Sequence, residues 1–182
     1  MTISRQMGSL GSQTAFLLAE KLSYQLVWRE LINQAARRAG APEVALAAID
    51  DLGLLKICPS EDACHAYHQA VAAIVGELAE QGRAVLLGRA GQVLLAGDPQ
   101  ALHVRIMAPV DVRVDRIAAR LKITPAQALA QVQASDRSRR QYLKKFYNAR
   151  WDDPALYDLV INTAHLTAEQ AAGGIAAMLQ TR

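Results

Sequence analysis

The segment Ala84-Val85-Leu86-Leu87 is an uninterrupted apolar run that stops at Gly88-Arg89. A run of that length with no polar alternation suits a strand covered on both faces, the usual situation in a parallel sheet, whose strands are joined by helical crossovers. The rest of the chain fits that scheme. Thr2 to Ser4 reads as a short first strand, followed by the turn Gly8-Ser9-Leu10-Gly11-Ser12 and a helical pattern through Phe16, Leu17, Leu18 and Leu22. Tyr24 to Val27 is a second strand. Helices are expected from Glu30 to Arg38, from Val44 to Ile49, and from an N-cap at Ser60 to Gly82.

Leu102 to Met107 is a strand, and Pro109 opens a helix carrying Val110, Val114, Ile117 and Leu121. Thr124-Pro125 opens another helix, Asp158 to Thr163 is the last strand, and Thr167 with Gln170 is a capping-box start for a terminal helix. Strands separated by helices imply a mostly parallel sheet with helices on both faces, which binds ligands at the carboxyl ends of its strands. That rule selects the loop from Arg5 to Ser12 and the corner Gly88-Arg89.

Composition narrows the class further. With 182 residues, 52% hydrophobic and 20% charged, the chain is expected to form one domain around one aliphatic core. No apolar stretch reaches the roughly 18 residues of a membrane span, and no secretory leader pattern is present, so a cytosolic location is expected. Cys58 and Cys64 are read as reduced thiols, and Cys64-His65-Ala66-Tyr67-His68 as a polar helix face in preference to a metal site. The net charge of +3 is too balanced for bulk attraction to nucleic acid or lipid. Cations concentrate instead between Arg137 and Arg150, interleaved with Tyr142, Phe146 and Tyr147.

A turn with two glycines between a strand and a helix can turn its N–H groups and the positive helix end onto an anion, most simply a phosphate. The strict phosphate loop G-x-x-x-x-G-K-[ST] is not satisfied. If Gly8 takes the central glycine position, Leu10 falls where the second glycine belongs and Gly11 where the lysine belongs. Lys21 lies too far along the helix to curl back, which leaves Arg5 as the loop cation. Asp115 and Arg116 read as a surface pair. Trp151, Asp152, Asp153, Pro154 and Tyr157 read as architecture, with a turn starting at Asp153-Pro154 and the rings packing.

Ile3-Ser4-Arg5-Gln6-Met7-Gly8-Ser9-Leu10-Gly11-Ser12, then Leu18 to Leu22, Gly88-Arg89, and Trp151 to Thr163 together resemble the cytidylate kinase-like family, over essentially the whole chain. The resemblance is closest to a divergent branch whose first strand ends in Ser-Arg-Gln or Ser-Arg-Glu. It implies an α/β, three-layer P-loop NTPase-type fold: a parallel five-stranded sheet flanked by helices, with a helical nucleoside-monophosphate-binding segment over residues 28–82 and a lid-type helix over residues 122–150. It also implies a phosphotransferase that uses ATP and Mg2+ on CMP, dCMP or another small phosphate acceptor.

By the same resemblance Gly8, Ser9, Leu10, Gly11, Ser12 and Gln13 cradle the donor, with Asn162 and Thr163 beside its base. Gly88 and Arg89 contact the acceptor, and Ala90 replaces the acid of a Gly-Arg-Asp segment. Asp136-Arg137-Ser138-Arg139-Arg140 matches the lid pattern, so the transition-state cations are expected among Arg137, Arg139 and Arg140 together with Arg5. Asp136 and Arg140 would be neighbours one helical turn apart. No metal-ligating residue is assigned. Two other readings use the same residues: a non-catalytic nucleotide or phosphate binder, and a nucleic-acid module on the basic helix 137–150, which the balanced overall charge disfavours. The alanine-rich helices serve cores and interfaces alike and leave homo-oligomerisation open.

Overall fold

A computed structural model describes residues 1–28, 34, 37–38, 40 and 61–181. The helix expected over 44–49, the cap at Ser60, Cys58, and most of the helix expected over 30–38 lie outside them. In chain order the elements are β1 (Thr2–Arg5), α1 (Gly11–Leu22), β2 (Gln25–Val27), α2 (Glu61–Gln81), β3 (Ala84–Leu87), α3 (Gly91–Leu94), β4 (His103–Met107), α4 (Val110–Leu121), α5 (Pro125–Tyr147), a 3-10 turn (Pro154–Leu156), β5 (Leu159–Asn162) and α6 (Ala168–Gln180). The strands form one sheet in the order β2-β3-β1-β4-β5. Every pairing is parallel, with Ile3 opposite Leu87 on one side and Val104 on the other.

Burial shows how β3 comes to be apolar throughout. Val85 and Leu87 join Ile3, Leu18, Val104, Ile106 and Ile175 in the core beneath α1 and α6. Ala84 and Leu86 face the opposite way, against Tyr67, Val71, Ile74 and Val75 of α2. All four residues of β3 are buried, as alternate side chains entering two apolar layers must be. Local start signals hold as well. Thr124 and Thr167 each accept from the backbone N–H three residues on, with Gln127 and Gln170 bonding back, so both helices open on a complete capping box. The first strand runs one residue further than its polarity suggests, because the Arg5 backbone pairs with Ile106 while its side chain is buried.

Two packing arrangements of α5 are set by side chains from other elements. Asp136 does not pair with Arg140 on its own helix. It is engaged by Arg113 of α4 through two hydrogen bonds of 3.2 and 3.0 Å, with both side chains less than a tenth exposed. Arg140 instead lies 3.5 Å from Asp152. The aromatic stripe of α5 also does not rest on the sheet. Tyr142, Phe146 and Tyr147 meet His68 of α2, with the His68 and Phe146 ring centroids 3.9 Å apart. Both outcomes follow from α5 crossing over the carboxyl ends of the strands instead of lying along a sheet face.

The Arg113–Asp136 pair gives a stability test. Asp136→Ala leaves a buried guanidinium without its carboxylate and should cost about 3–5 kcal/mol, whereas replacing both partners with leucine should cost far less. Urea unfolding of the two variants measures the difference; equal losses would show that the ion pair carries no special weight.

Candidate functional site

The sheet register brings the two glycine corners together. Gly88 N–H donates to the Ile3 carbonyl at 3.0 Å, so the end of β3 sits beside the end of β1, where Arg5 begins. The Arg5 side chain crosses this space. A Cβ placed on Gly11 would fall on Arg5 Cβ, and one placed on Gly88 would lie 2.6 Å from Arg5 Nη1. The arginine therefore runs from the start of α1, where the phosphate-loop lysine would stand, to the corner after β3. Gly11 is needed for that passage because it lies against the base of the side chain, whereas at Gly88 only the movable guanidinium tip is met.

The loop itself is held from behind. Ser9 N–H and Oγ donate to the Gln6 carbonyl, Arg113 Nη1 to that of Met7, Arg116 Nη1 to that of Gly8, and Thr163 Oγ1 to that of Ser9 at 2.9 Å. Leu10 O accepts from Thr14 N–H and Oγ1. Every carbonyl from Gln6 to Leu10 is thus taken by a protein donor. The first N–H of α1 with an intrahelical acceptor is that of Thr14, and the N-cap Leu10 provides no side-chain bond to the amides before it. Those of Gly11, Ser12 and Gln13 sit at the positive end of a 12-residue helix and suit an anion.

Leu10 occupies this corner with φ 61°, the left-handed conformation the usual glycine would adopt freely, at about 1–2 kcal/mol for a leucine. Gly8 is required for a different reason: a Cβ there would lie 2.8 Å from the Arg113 carbonyl oxygen.

Of the residues singled out in the sequence, Arg5, Gly11 and Gly88 come together, as do Ser9 and Thr163. Ser9 and Thr163 are fully buried and their hydroxyls are spent on backbone carbonyls; Ser12 and Gln13 are exposed. Asn162 is exposed and its Oδ1 accepts from Ala164 N–H. Arg139 and Arg140 each stand 5.9 Å from the Trp151 ring, whose Nε1 donates to Ser4 Oγ at 2.9 Å, so Trp151 links α5 to the residue next to Arg5. Arg137 is exposed and joins none of these groups.

The sequence reading passed over three arginines. Arg116, read as half of a surface pair, turns inward to Gly8 and donates to the Thr163 carbonyl at 2.7 Å, while Asp115 is exposed. Arg113 and Arg105 are buried; Arg105 donates to the Trp151 carbonyl and the Tyr157 hydroxyl and lies 4.4 Å from the Trp151 ring. All three are cations within strand or helix patterns, and only their distant partners reveal what they do.

The second corner is strained. Gly88, Arg89 and Ala90 have φ of 82°, 58° and 56°, a left-handed run that includes two residues with side chains. It turns Arg89 inward, where its side chain is buried and its charge acts on a box of rings made by Tyr67, His68, Tyr142 and Tyr147. Burial, then repulsion from Arg89, His65 and Lys145, pushes the His68 imidazolium down to about 4. Burial raises the Tyr67, Tyr142 and Tyr147 phenols, so the box is neutral apart from its arginine. Among the described residues no group of three or more His, Cys, Asp or Glu is placed to hold a metal. No described helix is long and apolar enough to cross a membrane.

His68 makes stability pH-dependent in a defined direction. Its folded value lies below the 6.5 of an ordinary histidine, so the unfolded chain takes the proton first. The contribution is complete above pH 6.5 and is lost as pH falls toward 4. His68→Phe keeps a ring against Phe146 and should remove about 1–2 kcal/mol of that loss, allowing for partial exposure. Urea midpoints of the two proteins at pH 7 and 4.5 measure it, and parallel declines would exclude His68 as the source.

Comparison with known proteins agrees with this geometry. The model of the "Cytidylate kinase-like family" matches residues 1–165. The cytidylate kinase of Methanocaldococcus jannaschii is 37% identical over 95 residues, 51% of this chain and 53% of that one, and the cytidylate kinase of Halobacterium salinarum is 39% identical over 70 residues, 38% and 36% of the two chains. The chain spans about half or less of the length of these curated relatives. An uncharacterized protein from Eubacterium ventriosum has the same fold, with a TM-score of 0.77 at 22% identity over 100% of this chain and 98% of that one. Shikimate kinase from Acinetobacter baumannii shares it at a TM-score of 0.56 and 17% identity, over 99% and 92%. The five-stranded parallel sheet with flanking helices is that of the P-loop kinases, and the chain belongs to the cytidylate kinase-like family.

Proposed function

We propose that the protein is a nucleoside monophosphate kinase-like phosphotransferase that moves the γ-phosphoryl group of ATP to CMP, dCMP or another small phosphate acceptor. One observation carries the reading: the Arg5 side chain passes from Gly11 to Gly88, between the two corners where donor and acceptor would meet. A guanidinium there supplies charge to a transferring phosphoryl group, whose transition state spreads negative charge over its oxygens and asks mainly for positioned cations. An acceptor phosphate oxygen attacks the γ-phosphorus, the bond to the β–γ bridging oxygen breaks, and ADP departs.

The residues fit the donor. Amides of Gly11, Ser12 and Gln13 face an anion at the start of α1, with Gly8, Ser9 and Leu10 shaping the corner and Asn162 and Thr163 flanking it. The exposed Ser12 hydroxyl is the side chain that would hold magnesium, which would supply neutralisation of the phosphate charge. Gly88 and Arg89 hold the acceptor, with residues 28–82 as the monophosphate-binding segment. Residues 122–150 form the lid, from which Arg137 and either Arg139 or Arg140 reach the reacting phosphates, since Arg137 and Arg139 point to nearly opposite sides of one helix. A cytoplasmic location suits such an enzyme.

A non-catalytic nucleotide or phosphate binder is the second reading, favoured by the glycine at the lysine position and by Ala90. A nucleic-acid platform on α5 has less support, because the rings of Tyr142, Phe146 and Tyr147 are turned inward onto His68.

Phosphoryl transfer from magnesium ATP to a panel of nucleoside monophosphates separates these readings. Arg5→Met retains packing against Gly11 and Ile106 but removes the charge, and should lower kcat by about a thousandfold. Lys21→Ala, in the exposed last turn of α1, should leave it unchanged. Equal rates for wild type and Arg5→Met would remove Arg5 from the mechanism. Nucleotide binding with no turnover on any acceptor would establish the binding protein instead.

A further inference from the structure

Trp151 is 2% exposed and is fixed at both ends. Its Nε1–H donates to Ser4 Oγ at 2.9 Å, and its carbonyl accepts from Arg105 Nη1 and, at 2.7 Å, from the Tyr157 hydroxyl. Ser4 stands opposite Arg105 in the sheet register and directly precedes Arg5, and successive side chains of a strand leave on opposite faces. The indole is therefore tied to the strand that carries Arg5, on the face of the sheet away from α1. It cannot turn without breaking a buried hydrogen bond.

Three guanidinium groups meet this fixed ring. Arg105 lies 4.4 Å from its centroid, and Arg139 and Arg140 each lie 5.9 Å from it. Arg105 is buried and committed to the Trp151 carbonyl and the Tyr157 hydroxyl, so it is a static support. The other two are consecutive residues of α5, whose side chains leave a helix about 100° apart and diverge unless one partner collects both. Equal distances to one ring make Trp151 that partner. Arg139 also donates to Ser135 Oγ, and Arg140 lies 3.5 Å from Asp152, with both members of that pair about half exposed. The face of a ring attracts a cation without occupying the planar N–H donors of its guanidinium, which remain suited to an oxyanion. Arg137 is exposed on another side of the helix.

Resting on the kinase reading above, we propose that Trp151 is a positioning residue for phosphoryl transfer: its ring holds Arg139 and Arg140 side by side, next to the strand that carries Arg5, and gives up one of them to the transferring phosphoryl group. The exchange is favourable because phosphate oxygens bind a guanidinium through paired, charge-assisted hydrogen bonds, which are stronger than attraction to a neutral ring. Mutual repulsion of three cations at one indole adds to the release. Collecting the two side chains beforehand spares the reaction a search among arginine rotamers. Trp151 itself touches no phosphate. Its removal leaves the charges in the protein but scatters them, so the loss falls on the transition state and not on substrate binding.

Emission and kinetics together test this. The chain has two tryptophans, so Trp28→Phe leaves Trp151 as the one indole, with its surroundings intact. Magnesium AMP-PNP together with CMP should change the Trp151 emission, and the change should be lost when Arg139→Met and Arg140→Met are added, with calorimetry showing that the nucleotides are bound. This measurement keeps the buried ring in place and does not depend on how well a Trp151 variant folds. With magnesium ATP and CMP, Trp151→Leu should lower kcat about tenfold at unchanged KM, and Trp151→Phe, which keeps an aromatic face, should retain most of the rate. Trp151→Leu should cost nothing further in the Arg139→Met, Arg140→Met protein and its full amount in Arg137→Met. Emission unmoved by bound nucleotide, a response that survives without the two arginines, or additive losses overturn the role of Trp151 and leave the kinase reading intact. A wild type that transfers no phosphoryl group to CMP or any other nucleoside monophosphate overturns both.

Discussion

Arg113 is the residue on which the arrangement of the glycine loop and α5 depends. Its guanidinium holds Asp136 through both terminal nitrogens, the Ala108 carbonyl through Nε at 3.0 Å, and the Met7 carbonyl through Nη1. Its own backbone fills the space above Gly8. One side chain thus joins the glycine loop, the start of α4 and the middle of α5. A buried ion pair of this kind contributes less to net stability than its Coulomb energy suggests, since both charges lose their water. What it does secure is position. The helix α5 is fastened near its midpoint, and the half beyond Asp136 carries Arg139, Arg140 and the aromatic end.

The loop shows how a backbone is held in one orientation by donors to its carbonyls. Peptide groups have two ends, and orienting one means restraining the other. With the carbonyls of Gln6 through Leu10 taken by Ser9, Arg113, Arg116, Thr163 and Thr14, the loop cannot rotate its peptide planes, and the amides at the head of α1 stay turned outward. Arg116 and Thr163 come from positions more than a hundred residues from Gly8 and Ser9 in the chain. Preorganisation of this sort lets dipoles stabilise charge without rearranging at the moment of reaction.

Local features were legible in the sequence and remote ones were not. The four apolar residues of β3, the cap and proline at Thr124-Pro125, the capping box at Thr167, and the turn at Asp153-Pro154 depend on neighbours within a few residues, and all formed as their patterns indicate. Arg5 could be singled out because the loop lacked any other cation, and Trp151 and Tyr157 could be read as packing rings. Arg116 and Arg113 could not, because an arginine in an amphipathic helix looks the same whether it meets water or a carbonyl across the sheet. Tyr67 and His68 were hidden likewise: nothing in α2 indicates that the end of α5 will cover them.

The crowding of Arg5 against Gly11 has a consequence for how such chains are recognised. The two positions trade bulk for charge: a long cation can rise from the end of the first strand only where the helix begins with bare backbone, and a side chain at the helix start would require a small residue beneath it. A signature anchored on one lysine treats this chain as a degraded copy. A signature that asks instead whether either of two coupled positions delivers a cation into the shared volume would class it as an intact alternative, and would expect the two residues to exchange as a unit.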